Sequence, residues 1–211
     1  MRRYIKSRIS LLSEEPDYIK IEIAKDPNSA ESQLMELASD DDEDVRFAVT
    51  KNPNASDRVL EILIHDGRDA IVYSAAKHPN ITVKLLGQLS TNTDDYIRRA
   101  VAKNPSTPPD ILGRLVQDPD MNVRLLVALN PNATTEVLDK LWKDTSLSVR
   151  FALAKNTDIS EDILTSLAED KHWMTRMYVA ENPKTPINVI KVLVNDSNSV
   201  VSSAARKRLR K

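Results

Sequence analysis

The chain has 211 residues, and its 30 lysines and arginines are nearly cancelled by 31 aspartates and glutamates, leaving a net charge of −1. Bulk charge therefore argues neither for nor against nucleic acid, and only the local placement of charge can decide that. The absence of cysteine excludes disulfides, thiolate metal sites, cysteine-ligated iron–sulfur clusters and a cysteine nucleophile, and fits a reducing, cytoplasmic setting.

The amino terminus begins Met1-Arg2-Arg3 but has neither a long apolar core nor a small-residue cleavage site, so it does not read as a signal peptide. No run approaches the roughly 20 apolar residues of a membrane span, and no membrane association is expected. Ile5, Ile9, Leu11 and Leu12 fit a short amphipathic helix within residues 1–16 that serves as an amino-terminal cap.

Beyond the cap the sequence repeats. Pro27, Pro53, Pro79, Pro105, Pro131 and Pro183 share one phase of 26 residues, with Thr157 at the only vacancy. This is a tandem array without insertions. Seven units run over 17–40, 41–66, 67–92, 93–118, 119–144, 145–170 and 171–196, and residues 197–211 read as a half-repeat cap with a basic tail. The whole, 1–211, is expected to be a single helical-repeat domain.

Each unit carries two apolar sets. Val45, Ala48 and Val49, repeated as Val123, Leu126, Val127 and as Val149, Ala152, Leu153, follow the i, i+3, i+4 spacing of one helix face. Val59, Leu60 and Leu63, repeated as Ile111, Leu112, Leu115 and as Val137, Leu138, Leu141, define a second helix of about ten residues. Proline disfavours helical geometry in the residue before it, so Asn52, Asn104, Asn130 and Asn182 end the first helix, where asparagine also tolerates a left-handed backbone. Thr107-Pro108 and Thr185-Pro186 read as a cap followed by a first-turn proline, and Ser56, Thr82, Thr134 and Ser160 as hydroxyl caps. One such pair cannot bury its apolar faces alone, so neighbours must stack into an all-α solenoid, with Leu37, Leu63, Leu89, Leu115, Leu141, Leu167 and Leu193 in its core.

The pattern Asp-x4-Val-Arg-x-Ala-Val-Ala-x-Asn-Pro-x-Thr-Pro-x-x-Leu-Leu-x-x-Leu is fullest from Ile97-Arg98 to Thr107-Pro108 and recurs at Val149-Arg150 to Asn156. It resembles the leucine-rich repeat variant family, and its Asp-x4-Val-Arg core is similar to HEAT repeats. The resemblance implies a right-handed superhelix of paired short helices, one of which can take the tighter 3₁₀ form, in an armadillo-like solenoid. It implies no single activity. An iron–sulfur cluster carried by a founding type of the family cannot be transferred to a chain without cysteine. By analogy with HEAT repeats, the helix beginning at Val-Arg lines the concave side.

Three columns of side chains are candidates for function. Arg46, Arg98, Arg124, Arg150 and Arg176, with Asp40, Asp66, Asp118, Asp144 and Asp170, read as a ladder in which each carboxylate accepts from its own or the neighbouring repeat's guanidinium, stitching the stack. Val72 replaces the expected arginine in the third unit, which leaves Asp66 without that partner. Lys25, Lys51, Lys77, Lys103, Lys155 and Lys207, interrupted by Leu129 and Glu181, either complement helix dipoles or form a phosphate-tracking stripe. Phe47, Tyr73, Arg99, Leu125, Phe151 and Met177 lie four residues earlier on the same helix, pointing away from the core face. Met121, Leu129, Leu147, Trp173 and Met174 extend this set, which either contacts a partner or buries against the next repeat.

His65, His78 and His172 occupy different repeat positions, and His78 stands where a turn asparagine is expected, as a hydrogen-bonding substitute. Asp40–Asp44 is explained by the dipole of the helix after it. No catalytic constellation, metal spacing or cofactor motif is present. The expected function is a non-enzymatic scaffold binding a protein or peptide partner along its concave groove through Phe47, Tyr73, Arg99, Leu125, Phe151, Met177, Lys51, Lys77, Lys103 and Lys155. The alternative is nucleic-acid binding through the lysines and the basic tail.

Overall fold

The computed structural model describes residues 12–210. The cap helix expected from Ile5, Ile9 and Leu11 lies outside the described residues, apart from a 3₁₀ turn at Leu12–Glu14. Among the described residues there are fifteen α-helices and no strand, and the chain packs as two compact units that meet in sequence at Ser106 and Thr107.

In the amino-terminal unit the first helices of the repeats are α1 (Asp17–Lys25), α3 (Glu43–Val49), α5 (Asp69–Ala76) and α7 (Asp95–Lys103), each packed on the next. Their partners are α2 (Glu31–Leu37), α4 (Asp57–Leu63) and α6 (Val83–Leu89). The carboxy-terminal unit opens with α8 (Pro109–Leu115), then stacks α9 (Met121–Leu129), α11 (Leu147–Lys155), α13 (Trp173–Glu181) and the half-repeat helix α15 (Ser199–Leu209). Alternating with these are α10 (Thr135–Leu138), α12 (Glu161–Leu167) and α14 (Ile187–Leu193). Each unit is thus a helical-repeat solenoid.

The second helices are shorter than their apolar spacing predicts, mostly seven residues and in α10 only four, and they are α-helical rather than 3₁₀. The second-helix leucines from Leu37 to Leu193 are all buried, so two turns suffice to deliver the core positions. Ser56, Thr82, Thr134 and Ser160 cap as expected, each accepting from the amide three residues on. The threonines of the Thr-Pro pairs do not. Pro108 and Pro186 are themselves the boundary residues, and Thr185 Oγ1 instead donates to Val179 O at 2.5 Å inside the repeat.

The pre-proline asparagines are extended rather than left-handed, with φ/ψ of −66°/126° at Asn104 and −67°/125° at Asn182. The proline ring selects that geometry. Their side chains reach back one repeat to carbonyls that a helix end leaves without a partner: Asn52 Nδ2 donates to Ala24 O at 2.7 Å and Asp26 O at 3.0 Å, and Asn182 Nδ2 to Ala154 O and Asn156 O at 2.9 and 2.8 Å. His78 takes over this position, its Nε2 2.8 Å from Asn52 O while Nδ1 accepts from the Asn80 amide, which fixes the proton on Nε2. The substitute role expected of His78 is the one observed.

The arginine ladder runs forward rather than within a repeat. Arg46 Nη1 donates to the carbonyl of Asp40 at 2.7 Å, but Nε reaches the carboxylate of Asp66, one repeat on, at 2.6 Å. Arg124 to Asp144, Arg150 to Asp170 and Arg176 to Asp196 repeat this at 2.5–2.6 Å. Lys20 fills the column's first position and binds Asp40 at 2.9 Å. Asp66 is therefore paired, contrary to the expectation from Val72. The residue facing the missing third-repeat arginine is Asn92, whose Oδ1 still accepts from the Asp94 amide as the aspartates do in their own turns. Two departures thus cancel: the cation and its carboxylate are lost together, while the turn is kept and Val72 is buried.

Restoring both partners, as Val72→Arg with Asn92→Asp, should show a favourable coupling of about 1–3 kcal/mol in a double-mutant cycle of denaturant melts. Additive single effects would mean that the third repeat has lost the geometry of the ladder. The ladder also sets a pH dependence. The hydrogen bond from Arg176 outweighs burial and holds Asp196 below the usual carboxylate range. A carboxylate depressed in the folded state stabilises above its unfolded pKa and loses that contribution as pH falls through its folded pKa. The stability advantage of the native chain over Asp196→Asn should therefore shrink as pH is lowered from about 5 towards about 2, measured by urea melts at each pH. A gap independent of pH would detach Asp196 from the ladder.

Candidate functional site

Residues four apart share one face of a helix, and at the carboxy-terminal ends of α3 and α5 that spacing pairs an aromatic ring in the helix with a lysine just beyond it. Lys51 Nζ lies 4.4 Å from the centroid of the Phe47 ring, and Lys77 Nζ 5.0 Å from that of Tyr73. The rings are 38% and 36% exposed. The two pairs flank one open groove of about 610 Å³ with Thr50 and Ser74 at its floor, and no acidic side chain lines it.

The floor is wired in one direction. Thr50 Oγ1 donates to Phe47 O at 2.7 Å, so the Ser74 hydroxyl, 2.7 Å away, donates to Thr50 and presents its lone pair to Lys51 Nζ, also at 2.7 Å. Burial, and secondarily the positive charge of Lys77, push the Lys51 ammonium below the usual lysine value. Lys51 is held by a hydroxyl and a ring face, not by a carboxylate.

The remaining candidates are placed differently. Arg99 in α7 is tied to Asp95 on its own helix and sits 4.6 Å from the centroid of Tyr96, while Lys103 is exposed. In the carboxy-terminal unit Phe151 is half-buried, meeting His172 and Tyr178 edge-on at 5.5 and 5.7 Å, and Lys155 lies 5.0 Å from the Tyr178 ring. Phe151 thus buries against the next repeat. Leu125 and Met177 are half-buried, as are Leu147, Trp173 and Met174, whereas Leu129 and Met121 are 60% and 50% exposed. The structure brings together Phe47, Lys51, Tyr73 and Lys77 in one unit, and Phe151 with Lys155 in the other.

Sequence reasoning missed Thr50, Ser74 and Tyr178. The signal for Thr50 was available, since its column is otherwise alanine from Ala24 to Ala180, whereas the column of Ser74 is mixed, with Ala48, Ala100 and Ala152 but also Glu22, Leu126 and Tyr178. A hydroxyl replacing alanine in a uniform column, and meeting a second hydroxyl across one repeat boundary, marks a local demand that the core does not make. It also missed Lys20 as the first rung of the ladder.

No group of three or more histidines, aspartates or glutamates among the described residues could hold a metal ion. Within Asp40–Asp44, Asp40 receives Lys20 and Asp42 caps α3. No helix among the described residues is long and apolar enough to cross a membrane.

A family model described as the leucine-rich repeat variant matches residues 97–120, the stretch that runs from the start of one Val-Arg-type helix into the next turn. The solved structure described as "a leucine-rich repeat variant with a novel repetitive protein structural motif" overlays with a TM-score of 0.71 at 24% identity, covering 91% of this chain and 81% of that one. Residues 97–120 are thus similar to the leucine-rich repeat variant, and the chain shares the helical-repeat fold of that structure. Two engineered proteins also align, one at 17% identity and a TM-score of 0.43 over 99% of this chain and 76% of that one, the other at 16% and 0.25 over 96% and 92%. No curated protein sequence matches the chain. The likeness to the leucine-rich repeat variant structure fixes the helical-repeat fold and leaves the ligand to this chain's own residues.

The contrast between the two phenylalanines is measurable. Phe151→Ala removes a half-buried ring with two aromatic neighbours and should cost on the order of 2 kcal/mol in a thermal or urea melt. Phe47→Ala, at an exposed ring, should cost less than about 1 kcal/mol. Equal losses would mean that Phe47 is a packing residue and not part of an open groove.

Proposed function

We propose that this leucine-rich-repeat-variant array is a non-enzymatic scaffold that binds a protein or peptide partner, with the groove between α3 and α5 as its main contact. The observation that carries the reading is the pairing of exposed aromatic rings with lysines across one repeat boundary. Aromatic side chains supply large contact area at little entropic cost, and lysines lying on them keep the surface soluble when it is empty. Phe151, Lys155 and Tyr178 offer a related surface in the carboxy-terminal unit, where Leu125 and Met177 share the same column.

Nucleic-acid binding ranks second. Lys51, Lys77 and Lys103 have no carboxylate partner among the described residues, as phosphate-binding side chains require, and Lys207 belongs to the basic helix α15. Exposed Leu129 and Glu181, however, occupy two lysine positions of the same column in the carboxy-terminal unit, where a strand-tracking protein needs positive charge.

Selection of displayed peptides on the immobilised full chain, followed by calorimetric titration of those recovered, tests the first reading. Peptides should bind the native protein at least about tenfold more tightly than Phe47→Ala/Tyr73→Ala, a loss of about 1.4 kcal/mol. Equal affinity for the two would refute the groove as the site. Labelled oligonucleotides bound at about 50 mM salt, lost at about 200 mM, and weakened by Lys51→Glu/Lys77→Glu would promote the second reading instead.

A further inference from the structure

The repeat array supplies its own control for what is unusual at this groove. Several cations near repeat boundaries have anionic partners: Lys20 has Asp40, Arg46, Arg124, Arg150 and Arg176 have aspartates, and Arg68 and Lys84 have Glu43 and Glu61. At α3 and α5 the pattern is reversed. Two lysines share one groove without an acid, and two linked hydroxyls, Ser74 and Thr50, secure one of them.

Such an arrangement is costly to an empty protein, since neighbouring cations repel and Lys51 is partly desolvated. The Ser74–Thr50 relay gives no compensation in charge. It fixes the position of the ammonium, as preorganisation for an incoming anion requires.

We infer that the Lys51–Ser74–Lys77 floor receives carboxylate side chains of an acidic partner segment, with an adjacent apolar side chain of that segment lying against Phe47 and Tyr73. This rests on reading the groove as a peptide site and specifies the chemistry it selects. A nucleic-acid strand is the poorer match, because the next recess, beyond Tyr73, is bounded by Asp69 and Asp94. Positive charge ends where a continuing phosphate backbone needs it, while a short acidic stretch needs only the two lysines. Within this assignment Ser74 is a positioning residue: it orients Lys51 and leaves the apolar contacts untouched.

The test is fluorescence anisotropy on the full chain with two labelled peptides, one with a phenylalanine flanked on each side by two glutamates and one with glutamines in place of the glutamates. The acidic peptide should bind about tenfold more tightly. Lys51→Gln and Lys77→Gln should each remove most of that preference, and Lys184→Gln, an exposed lysine outside the groove, should not. Ser74→Ala should weaken the acidic peptide and leave the glutamine peptide unchanged, while NMR titration of the Lys51 ammonium should show its pKa raised by the acidic peptide alone. Circular dichroism melts verify that each variant is folded.

Equal affinity for the two peptides, absence of saturable binding by the acidic one, or indifference to Lys51→Gln and Lys77→Gln each overturns the inference. If both peptides bind equally and Phe47→Ala weakens both, the groove stands and its acid preference falls. If Phe47→Ala changes neither, the groove reading falls as well. A labelled oligothymidylate bound more tightly than the acidic peptide and lost in Lys51→Gln reassigns the lysines to phosphate.

Discussion

Arg46, Arg124, Arg150 and Arg176 each do two things at once: they close the turn before their own helix by donating to a backbone carbonyl, and they join the carboxylate of the following repeat. That double attachment converts a row of weak helix pairs into a stack. A seven-residue helix has too few internal hydrogen bonds to persist alone, and its leucines have nowhere to hide within one unit. The stack must therefore be held at both ends of every helix. The arginine–aspartate pairs do this at the turn before the first helix, and the pre-proline asparagines do it at the turn after. Both use side chains that reach into a neighbouring repeat, so local structure and packing are satisfied by the same groups.

The third repeat shows how far this scheme tolerates change. Val72 and Asn92 remove a buried ion pair without leaving either charge exposed to a dry environment, which is the expensive outcome when one member of a buried pair is lost alone. Asn92 keeps the turn acceptor, and Val72 adds apolar burial. Nearby, His78 replaces asparagine and keeps, with its two ring nitrogens, one donation to the preceding repeat and the acceptance from its own turn amide. These substitutions concern polar satisfaction and are explained within the fold. Thr50 and Ser74 are not of this kind, since alanine at those positions leaves no polar group unsatisfied.

The period, the two helix faces, the buried leucines and the hydroxyl caps are legible in the sequence because each follows from spacing or from the chemistry of a single residue. The direction of the ladder is not. Asp66 and Arg46 lie 20 residues apart, and a sequence shows Asp40 nearer to Arg46 without showing that its carbonyl, rather than its carboxylate, is what the arginine takes. Helix length is overread for a related reason: Val59, Leu60 and Leu63 need only two turns, and apolar spacing has no term for where a helix stops. At the site, the i, i+4 relation of Phe47 to Lys51 is readable. The inward turn of Phe151 onto Tyr178 and His172 is not, because it depends on what the next repeat places opposite.

In a tandem array most of each residue's identity is dictated by its column, and the column is dictated by stacking. A residue that obeys its column carries little information about ligands, which is why the lysines taken as a series remain compatible with simple dipole complementation at helix ends. Information about function accumulates where a column is broken at no structural need and where neighbouring breaks meet in space. Thr50 interrupts an otherwise alanine column, and it meets the Ser74 hydroxyl beside Lys51. The same criterion removes Val72 and His78 from consideration, since their departures are fully answered by Asn92 and Asn52. What distinguishes the α3–α5 groove is therefore not that it is lined with aromatics and lysines, which recur along the chain, but that its polar groups are arranged around a charge that the protein itself does not supply.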